Sequence, residues 1–488
     1  MKEEKLKKAM IQTLGCQMNV YDSERMADML FVLGYEPTDS PWKADLVIVN
    51  TCAIREKAEQ KVFSSVGRLC GIKKRRPNMK IAVAGCVAQQ QAEKLSGRFE
   101  GVDLILGTRV INRLPDYIRA IENMEGPITD VEMPDSAPPG SKIPEGDNPH
   151  ANAAFRRYEG GVSRYVTIMR GCDNFCTYCV VPYVRGREES RAPRQILEEI
   201  KALVSAGTRE ITLLGQNVNS YGKKEKFGSF AELLRQVAEV EGLERIRFVT
   251  SHPKDLSDEL VLAYSDIEKL CNHIHLPVQS GSDSVLKRMN RKYTRDSYME
   301  RIEKLRSVRP DIAVTTDVIA GFPGETRYDF EMTLDLLERV GYDTLFAFEY
   351  SDRPQAPAGK FGGKVGSEEK NARLKELLGV QEKITQRIYE NLVGKTMNVL
   401  VEGASKHGRS KGNTGSAGMV EMTGRTSENR IVNFEIDPET CGIQPGDLLG
   451  RTIPVEIFRA CANSLKGKMP VEESAGQHNT KGGKIHAA

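Results

Sequence analysis

YVTIMRGCDNFCTYCVVPYVRG, Tyr165 to Gly186, sets a short β-rich run directly ahead of three cysteines, Cys172, Cys176 and Cys179. No fourth cysteine stands nearby. A tetrahedral structural zinc needs four protein ligands, usually two C-x-x-C knuckles or one knuckle with paired histidines. Here the next cysteine downstream is Cys271, and the nearest histidines are His150 and His252. Three thiolates suit a cubane iron–sulfur cluster in which the protein holds three irons and one is left open. An open iron can bind substrate, so the missing ligand is the point of the motif.

Working outward, strands alternate with helices. YVTIMRG, EITLLGQNV, RIRFVTSHP, HIHLPVQS, AVTTDVIAGFPG and TLFAFEYS are β-rich runs, separated by helical stretches such as PRQILEEIKALVSAG and SYMERIEKLRSV. About six such units make a partial (β/α) barrel, whose active-site residues belong at the carboxyl ends of the strands. The cysteine loop follows the first strand, at that face. Gln216–Asn217, Ser251–His252, Gln279–Ser280 and Gly324–Glu325 fall at the same ends. Singly, each fits a turn or a cap; gathered at one rim, they read as a cofactor pocket.

The first 120 residues repeat the alternation. Lys8–Gly15, Asp45–Cys52, Lys80–Cys86 and Val102–Gly107 are strand-like, with helical stretches between them. This implies a parallel, doubly wound sheet. Cys16, Cys52 and Cys86 each end one of the first three strands, the edge where ligands gather in open α/β sheets. A packed core thiol is the plain reading of any one of them. The repeated placement favours convergence on one point.

Composition is that of an ordinary soluble protein: 488 residues, 39% hydrophobic and 28% charged. Lys+Arg 70 against Asp+Glu 67 gives net +3, so any basic footprint for nucleic acid must be local. No apolar run approaches the ~20 residues of a membrane span, and the first residues lack the apolar core of a signal peptide. The expected compartment is cytoplasmic, where ten cysteines are reduced thiols. Residues 124–157, rich in Pro, Gly, Asp and Ser, read as a linker. After a helical connector (Glu368–Gly394), KTMNVLVEG, AGMVEMTGR, NRIVNFEI and LGRTIPVEIF are short β-rich runs separated by turns, the pattern of a small barrel. Lys406, Arg409, Lys411, Arg425 and Arg430 give it a modest positive field suited to phosphates. Residues 460–488 read as a disordered tail.

C-x-x-x-C-x-x-C with an aromatic before the last cysteine resembles the signature of the radical S-adenosylmethionine superfamily. TLGCQMNVYDSE, CTYCVVPYVRGREESR, LLGQNVNSYG and HLPVQSGSDSVLKRMNRKYTR resemble MiaB-type tRNA methylthiotransferases, with Gln17-Met18-Asn19 especially telling. The resemblance runs from Lys8 to Arg459. It implies an amino-terminal domain (6–123) holding an auxiliary 4Fe–4S cluster on Cys16, Cys52 and Cys86, and a radical core (158–391) holding a second on Cys172, Cys176 and Cys179. It also implies an OB-like TRAM module (393–459) that binds RNA. The open iron would chelate S-adenosylmethionine, with Tyr178, Gln216 and Gln279 in its pocket. The implied reaction adds a methylthio group to the C2 carbon of N6-isopentenyladenosine beside the anticodon, using two S-adenosylmethionine molecules. An electron donor such as flavodoxin or ferredoxin, and a sulfur donor, are the implied partners. A methylthiotransferase for threonylcarbamoyladenosine or a ribosomal protein, and a noncatalytic iron–sulfur RNA-binding regulator, are the alternatives. The chain departs from the family pattern at FEYSDRPQAPA (Phe348–Ala358), with Gln355-Ala356 where Gly-Thr is usual.

Overall fold

Strand β3 (Leu46–Thr51) shows how the first sheet is covered on both sides. The pleat sends alternate side chains to opposite faces. Val47 and Val49 therefore join one core with Ile81, Val83 and Ile105, while Leu46 and Ile48 join another with Ala82, Ala84 and Leu104. The computed structural model describes residues 6–53, 56–123, 126–133, 161–405 and 419–470. In it β1 (Lys7–Leu14), β2 (Tyr35–Pro37), β3, β4 (Lys80–Gly85), β5 (Leu104–Leu106) and β6 (Ile128–Asp130) run parallel in the order β2-β1-β3-β4-β5-β6. Helices α2 (Glu56–Lys73) and α3 (Cys86–Arg98) cover one face through Val62, Val66, Val87 and Leu95. Helices α1 (Gln17–Val32) and α4 (Leu114–Glu122) cover the other through Met26, Leu30, Leu114 and Ile118. The sheet is doubly wound, as the alternation implies.

Two edge strands go beyond the sequence reading. β2 and β6 have three residues each, too short to carry a periodic signal. Residues Ile128–Asp130 sit inside the stretch read as a linker, yet pair in register with Leu104–Leu106, because an open parallel edge accepts any extended segment. Residues 134–157 of that stretch lie outside the described residues.

Six further parallel strands form the second layer of the architecture. β7 (Ser163–Thr167), β10 (Glu210–Leu214) and β11 (Arg245–Phe248) make one half, and β12 (His273–His275), β13 (Ala313–Ala320) and β14 (Thr344–Glu349) the other. A parallel bridge between Ile246 and Leu270 continues one half toward the other. This is the expected partial barrel of six units. Two-residue strands β8 (Met169–Arg170) and β9 (Glu189–Ser190) pair antiparallel at its rim and clasp the cysteine loop between them.

The chain divides into two units, Met1–Thr385 and Gln386–Ala488. The second holds a closed five-stranded barrel, β15 (Thr396–Ala404), β16 (Val420–Thr426), β17 (Ile431–Ile436), β18 (Thr452–Ala460) and β19 (Leu465–Lys468), around Val399, Val432, Phe434, Val455 and Ile457. β19 corrects the tail reading for 460–470. LKGK carries a single large apolar residue, so nothing in its pattern marks a strand. Leu465 is nonetheless fully buried, and the segment closes the barrel by pairing with both β17 and β18. Residues 471–488 lie outside the described residues. Among those described, no helix is long and apolar enough to cross a membrane.

Candidate active site

Strand order in the first sheet reverses at β1, since β2 lies on one side of it and β3 on the other. Ligands in open α/β sheets collect at such a switch. Leu14 is in register with Thr51, and Thr51 with Gly85. Cys16, Cys52 and Cys86 therefore emerge side by side. Cys52 and Cys86 are buried and Cys16 is half-buried.

Asn19 braces this corner. Its Nδ2 donates to Asn50 Oδ1 at 3.1 Å and to the Thr51 carbonyl at 2.9 Å, while its Oδ1 accepts from the Cys16 backbone N–H at 3.2 Å. Asn50 Nδ2 returns a bond to the Asn19 carbonyl at 2.8 Å. Thr51 Oγ1 donates to the Ala84 carbonyl at 2.6 Å and accepts from Val87 N–H at 3.2 Å. All three cysteine turns are thereby tied together. A cation also reaches them from the turn that closes the second cysteine loop: Arg185, buried, bonds Asp22 at 3.1 Å and has the Cys86 and Cys16 thiols as neighbours. A hydrogen bond from Cys52, opposed by burial and aided by Arg185, lowers Cys16 to about 6, whereas burial pushes Cys86 up.

The loop Cys172–Cys179 hangs from Gly171, whose φ of 73° lies in the left-handed region. The Cys172 N–H donates to the Gly186 carbonyl at 3.2 Å and the Thr177 N–H to the Met289 carbonyl at 3.1 Å. Burial pushes Cys172 up to about 11 and Cys179 up to about 12; metal binding must therefore displace their protons. Val181 N–H donates to Cys179 Sγ at 3.5 Å and Arg291 to Cys176 Sγ at 3.4 Å. His252 Nε2 stands 4.0 Å from Cys176 Sγ. Its Nδ1 accepts from the Lys254 N–H at 3.3 Å, so in the neutral ring the proton is on Nε2 and points toward sulfur. Burial, with Arg291 nearby, pushes the histidine pKa far down. His252 thus faces the Cys176 sulfur as a donor, and the loop keeps three protein ligands.

The rim separates used from unused polar groups. Ser280 bonds Thr333, and Glu325 forms a buried ion pair with Arg373 at 2.6 Å; these two are structural. Gln216 Oε1, Asn217 Oδ1, Ser251 Oγ and Gln279 Oε1 are buried without a hydrogen-bond partner, and so are both polar atoms of the Asn219 carboxamide. Buried polar atoms of native proteins are normally paired, and five residues left wanting at one rim fit a polar ligand. Gln279 holds φ +71°, outside the usual range for a side chain of its kind. Tyr178 is half-buried, its ring against the cluster of Val285, Met289 and Phe322 and its hydroxyl accepting from Arg291 at 3.3 Å. Arg185, Asn219 and Arg291 were not singled out from sequence, and Asn19 only as part of the Gln17-Met18-Asn19 stretch, with no role given to its side chain; Arg185 stands six residues beyond Cys179.

Among the described residues no three His, Cys, Asp or Glu side chains stand close enough to share one metal ion. A cubane sets each thiolate on a separate iron and spaces its ligands more widely. Two sets of three soft thiols, each backed by a hydrogen-bond donor or a cation and lacking a fourth ligand, fit such a cluster.

A partial parallel barrel with a three-thiol loop after its first strand defines the radical S-adenosylmethionine class, and residues 166–337 match that superfamily. Residues 8–107 match the uncharacterized protein family UPF0004. A tRNA-2-methylthio-N(6)-dimethylallyladenosine synthase of Desulfosudis oleivorans is 50% identical over 486 residues, 99% of this chain and 100% of the relative. One of Syntrophotalea carbinolica is 47% identical over 464 residues, 95% of this chain and 100% of the relative. The chain belongs to this synthase family. In fold it is similar to a solved structure of the radical S-adenosylmethionine methyltransferase TsrM from Kitasatospora setae, with TM-score 0.52 and 14% identity over 73% of this chain and 77% of that one.

Proposed function

We propose that this protein replaces the C2 hydrogen of N6-isopentenyladenosine in tRNA by a methylthio group. The observation that carries the reading is the meeting of two three-thiol sites within one unit. Arg185, from the segment that closes the second cysteine loop, lies among the thiols of the first. Thr108 Oγ1 donates to the Val184 carbonyl at 2.5 Å, and Arg109 to the carbonyls of Arg185 and Arg187 at 2.9 and 2.7 Å, holding the sites in one frame.

An aromatic C–H at C2 is inert to acid–base chemistry, so the iron–sulfur clusters and S-adenosylmethionine supply the radical and the sulfur. Cys172, Cys176 and Cys179 hold one cluster, and Cys16, Cys52 and Cys86 the other. Arg185 offsets the negative charge of the first triad, and Arg291 that of the second. Gln216 and Gln279, with Asn219 and Ser251, offer their unpaired atoms to the polar groups of S-adenosylmethionine. Tyr178, half-buried beside Cys179, is assigned to the adenine. The reductant enters from outside as a one-electron donor such as flavodoxin or ferredoxin, and a sulfur donor restores the consumed sulfur.

Two triple variants test the division of labour. Replacing Cys172, Cys176 and Cys179 by Ala is expected to abolish 5′-deoxyadenosine formation while roughly half the iron stays bound. Replacing Cys16, Cys52 and Cys86 by Ala is expected to preserve that cleavage and stop methylthiolation, read by mass spectrometry of tRNA nucleosides. Methylthiolation surviving the second replacement sinks the reading. A chain that never turns over S-adenosylmethionine on reduction is a regulator instead.

A further inference from the structure

We propose that Arg170, with Arg25 beside it, forms an anion site at the seam of the two parallel sheets, and that this site takes a phosphodiester of the RNA substrate. The proposal rests on the tRNA-modification reading above and adds a contact that positions the substrate.

Charge pairing at the seam exposes the site. Among the described residues, four carboxylates beside it each have their own arginine: Asp22 with Arg185 at 3.1 Å, Glu199 with Arg191 at 2.7 Å, Glu24 with Arg164 at 3.3 Å, and Glu189 with Arg109 at 2.5 Å. Two guanidinium groups are left over. Arg25 donates to the Tyr21 hydroxyl at 3.2 Å and lies over that ring at 5.8 Å. Among the described residues, Arg170 has no hydrogen bond or ion pair for its guanidinium, although Asp22, Arg25, Tyr21 and Arg185 surround it. A half-buried cation among other cations is costly unless something anionic completes it.

The occupant follows from shape and access. Guanidinium presents a planar fork of donors that matches two oxygens of a phosphate. A cluster-bound sulfur offers a single centre, and Arg185 already stands against the Cys16 and Cys86 thiols. Arg170 is partly exposed, whereas Cys52 and Cys86 are buried, so the arginine meets solvent where those thiols do not. Arg170 lies opposite Glu189 in the backbone register of the clasp, the Glu189 carboxylate being held by Arg109, and precedes Gly171 and Cys172. A phosphate held there would fix the register of the flanking nucleotides against the cysteine loop, as phosphate contacts do without reading sequence.

The test is binding of the iron-loaded full chain to an anticodon stem-loop RNA carrying N6-dimethylallyladenosine, over a range of salt. Arg170→Gln is expected to bind about tenfold more weakly, with the slope of log affinity against log salt reduced by about 0.7 for one phosphate of a single-stranded loop. Arg25→Gln leaves the cysteine loop untouched and is expected to move both quantities the same way, so it decides the matter if Arg170→Gln fails to hold iron. Wild-type affinity and slope in the iron-holding variants would overturn the site alone. Weaker binding with an unchanged slope would overturn it too, because the protein would still neutralise as many phosphates as before. If the variants bind RNA normally but lose hydrosulfide binding, the anion is a sulfur ligand and the phosphodiester assignment falls. Failure of the wild-type chain to bind this RNA would overturn the tRNA reading and the site together.

Discussion

Asn19 uses its donor and acceptor on different neighbours, and none of them is solvent. Asn19→Ala would strand Asn50 Oδ1 and the Thr51 carbonyl in a buried corner, at a cost of about 1–3 kcal/mol. Denaturant unfolding is expected to show that loss, and iron analysis a deficit confined to the first cysteine site. Asp329 plays the same part behind the rim. Burial opposes its ionisation, but bonds from Ser282 at 2.5 Å, Ser284 at 2.6 Å and the Thr326 hydroxyl and N–H hold it down to about 2. It thereby pins the segment that follows Gln279. An unfolded aspartate titrates near about 3.9. The folded form is the stronger acid, so its stabilisation is complete above about pH 4 and is lost as pH falls through about 2. Unfolding free energy followed from pH 5 to pH 2 is expected to fall less steeply in Asp329→Asn than in the parent; equal slopes would discard this account.

At the level of elements, two glycines decide whether strands can deliver their cysteines. Gly85 ends β4 with φ +94°, and a Cβ there would lie 2.4 Å from the Thr51 carbonyl oxygen. Gly171 follows β8 with φ +73°, and its Cβ would lie 2.0 Å from the Arg187 carbonyl oxygen. Both clashes are with backbone, so relief must move the strand end itself. Gly85→Ala is expected to lose iron at the first site while 5′-deoxyadenosine formation continues; Gly171→Ala is expected to do the reverse. Iron per chain together with S-adenosylmethionine cleavage distinguishes the two. The glycines were visible in sequence as G-C pairs, but their need for positive φ was not, because that need comes from a neighbouring strand. The departure at Gln355-Ala356 has a similar resolution. Gln355 adopts φ +72° and Ala356 is buried in the core shared by α3 and Val180, so the loop is a packing element of the first domain.

At the scale of the molecule, the small barrel has its own core and belongs to a separate unit. Truncation after Gly394 is expected to leave reductive cleavage of S-adenosylmethionine intact while weakening binding of full-length tRNA, most clearly at low salt. The slope of log affinity against log salt should flatten by roughly 0.7–0.9 for each phosphate that the barrel neutralises. Identical affinity and slope in both chains would show that the barrel is not the RNA handle. The basic residues expected to serve it need revision. Lys406, Arg409 and Lys411 lie outside the described residues. Arg425 is engaged with Glu402 at 3.3 Å, and Arg430 is buried.

Sequence alone determined the two parallel architectures, the six cysteines in two sets of three, and the small barrel's first four strands. These are local: each rests on strand–helix period, on residue spacing, or on a cysteine ending a strand. Tertiary structure alone decided what stands around the thiols. Arg185 reaches the thiols of the first site from the turn after the second cysteine loop, Asn19 ties two turns distant in sequence, and, among the described residues, Arg170 has no partner for its guanidinium while Asp22 and Glu199 are held by other arginines. Leu465–Lys468 became a strand for the same reason, since two partner edges, rather than its own pattern, give it a place. Periodicity reports which face of an element is buried; charge pairing and edge pairing depend on which elements meet, and that is settled only when the chain has folded.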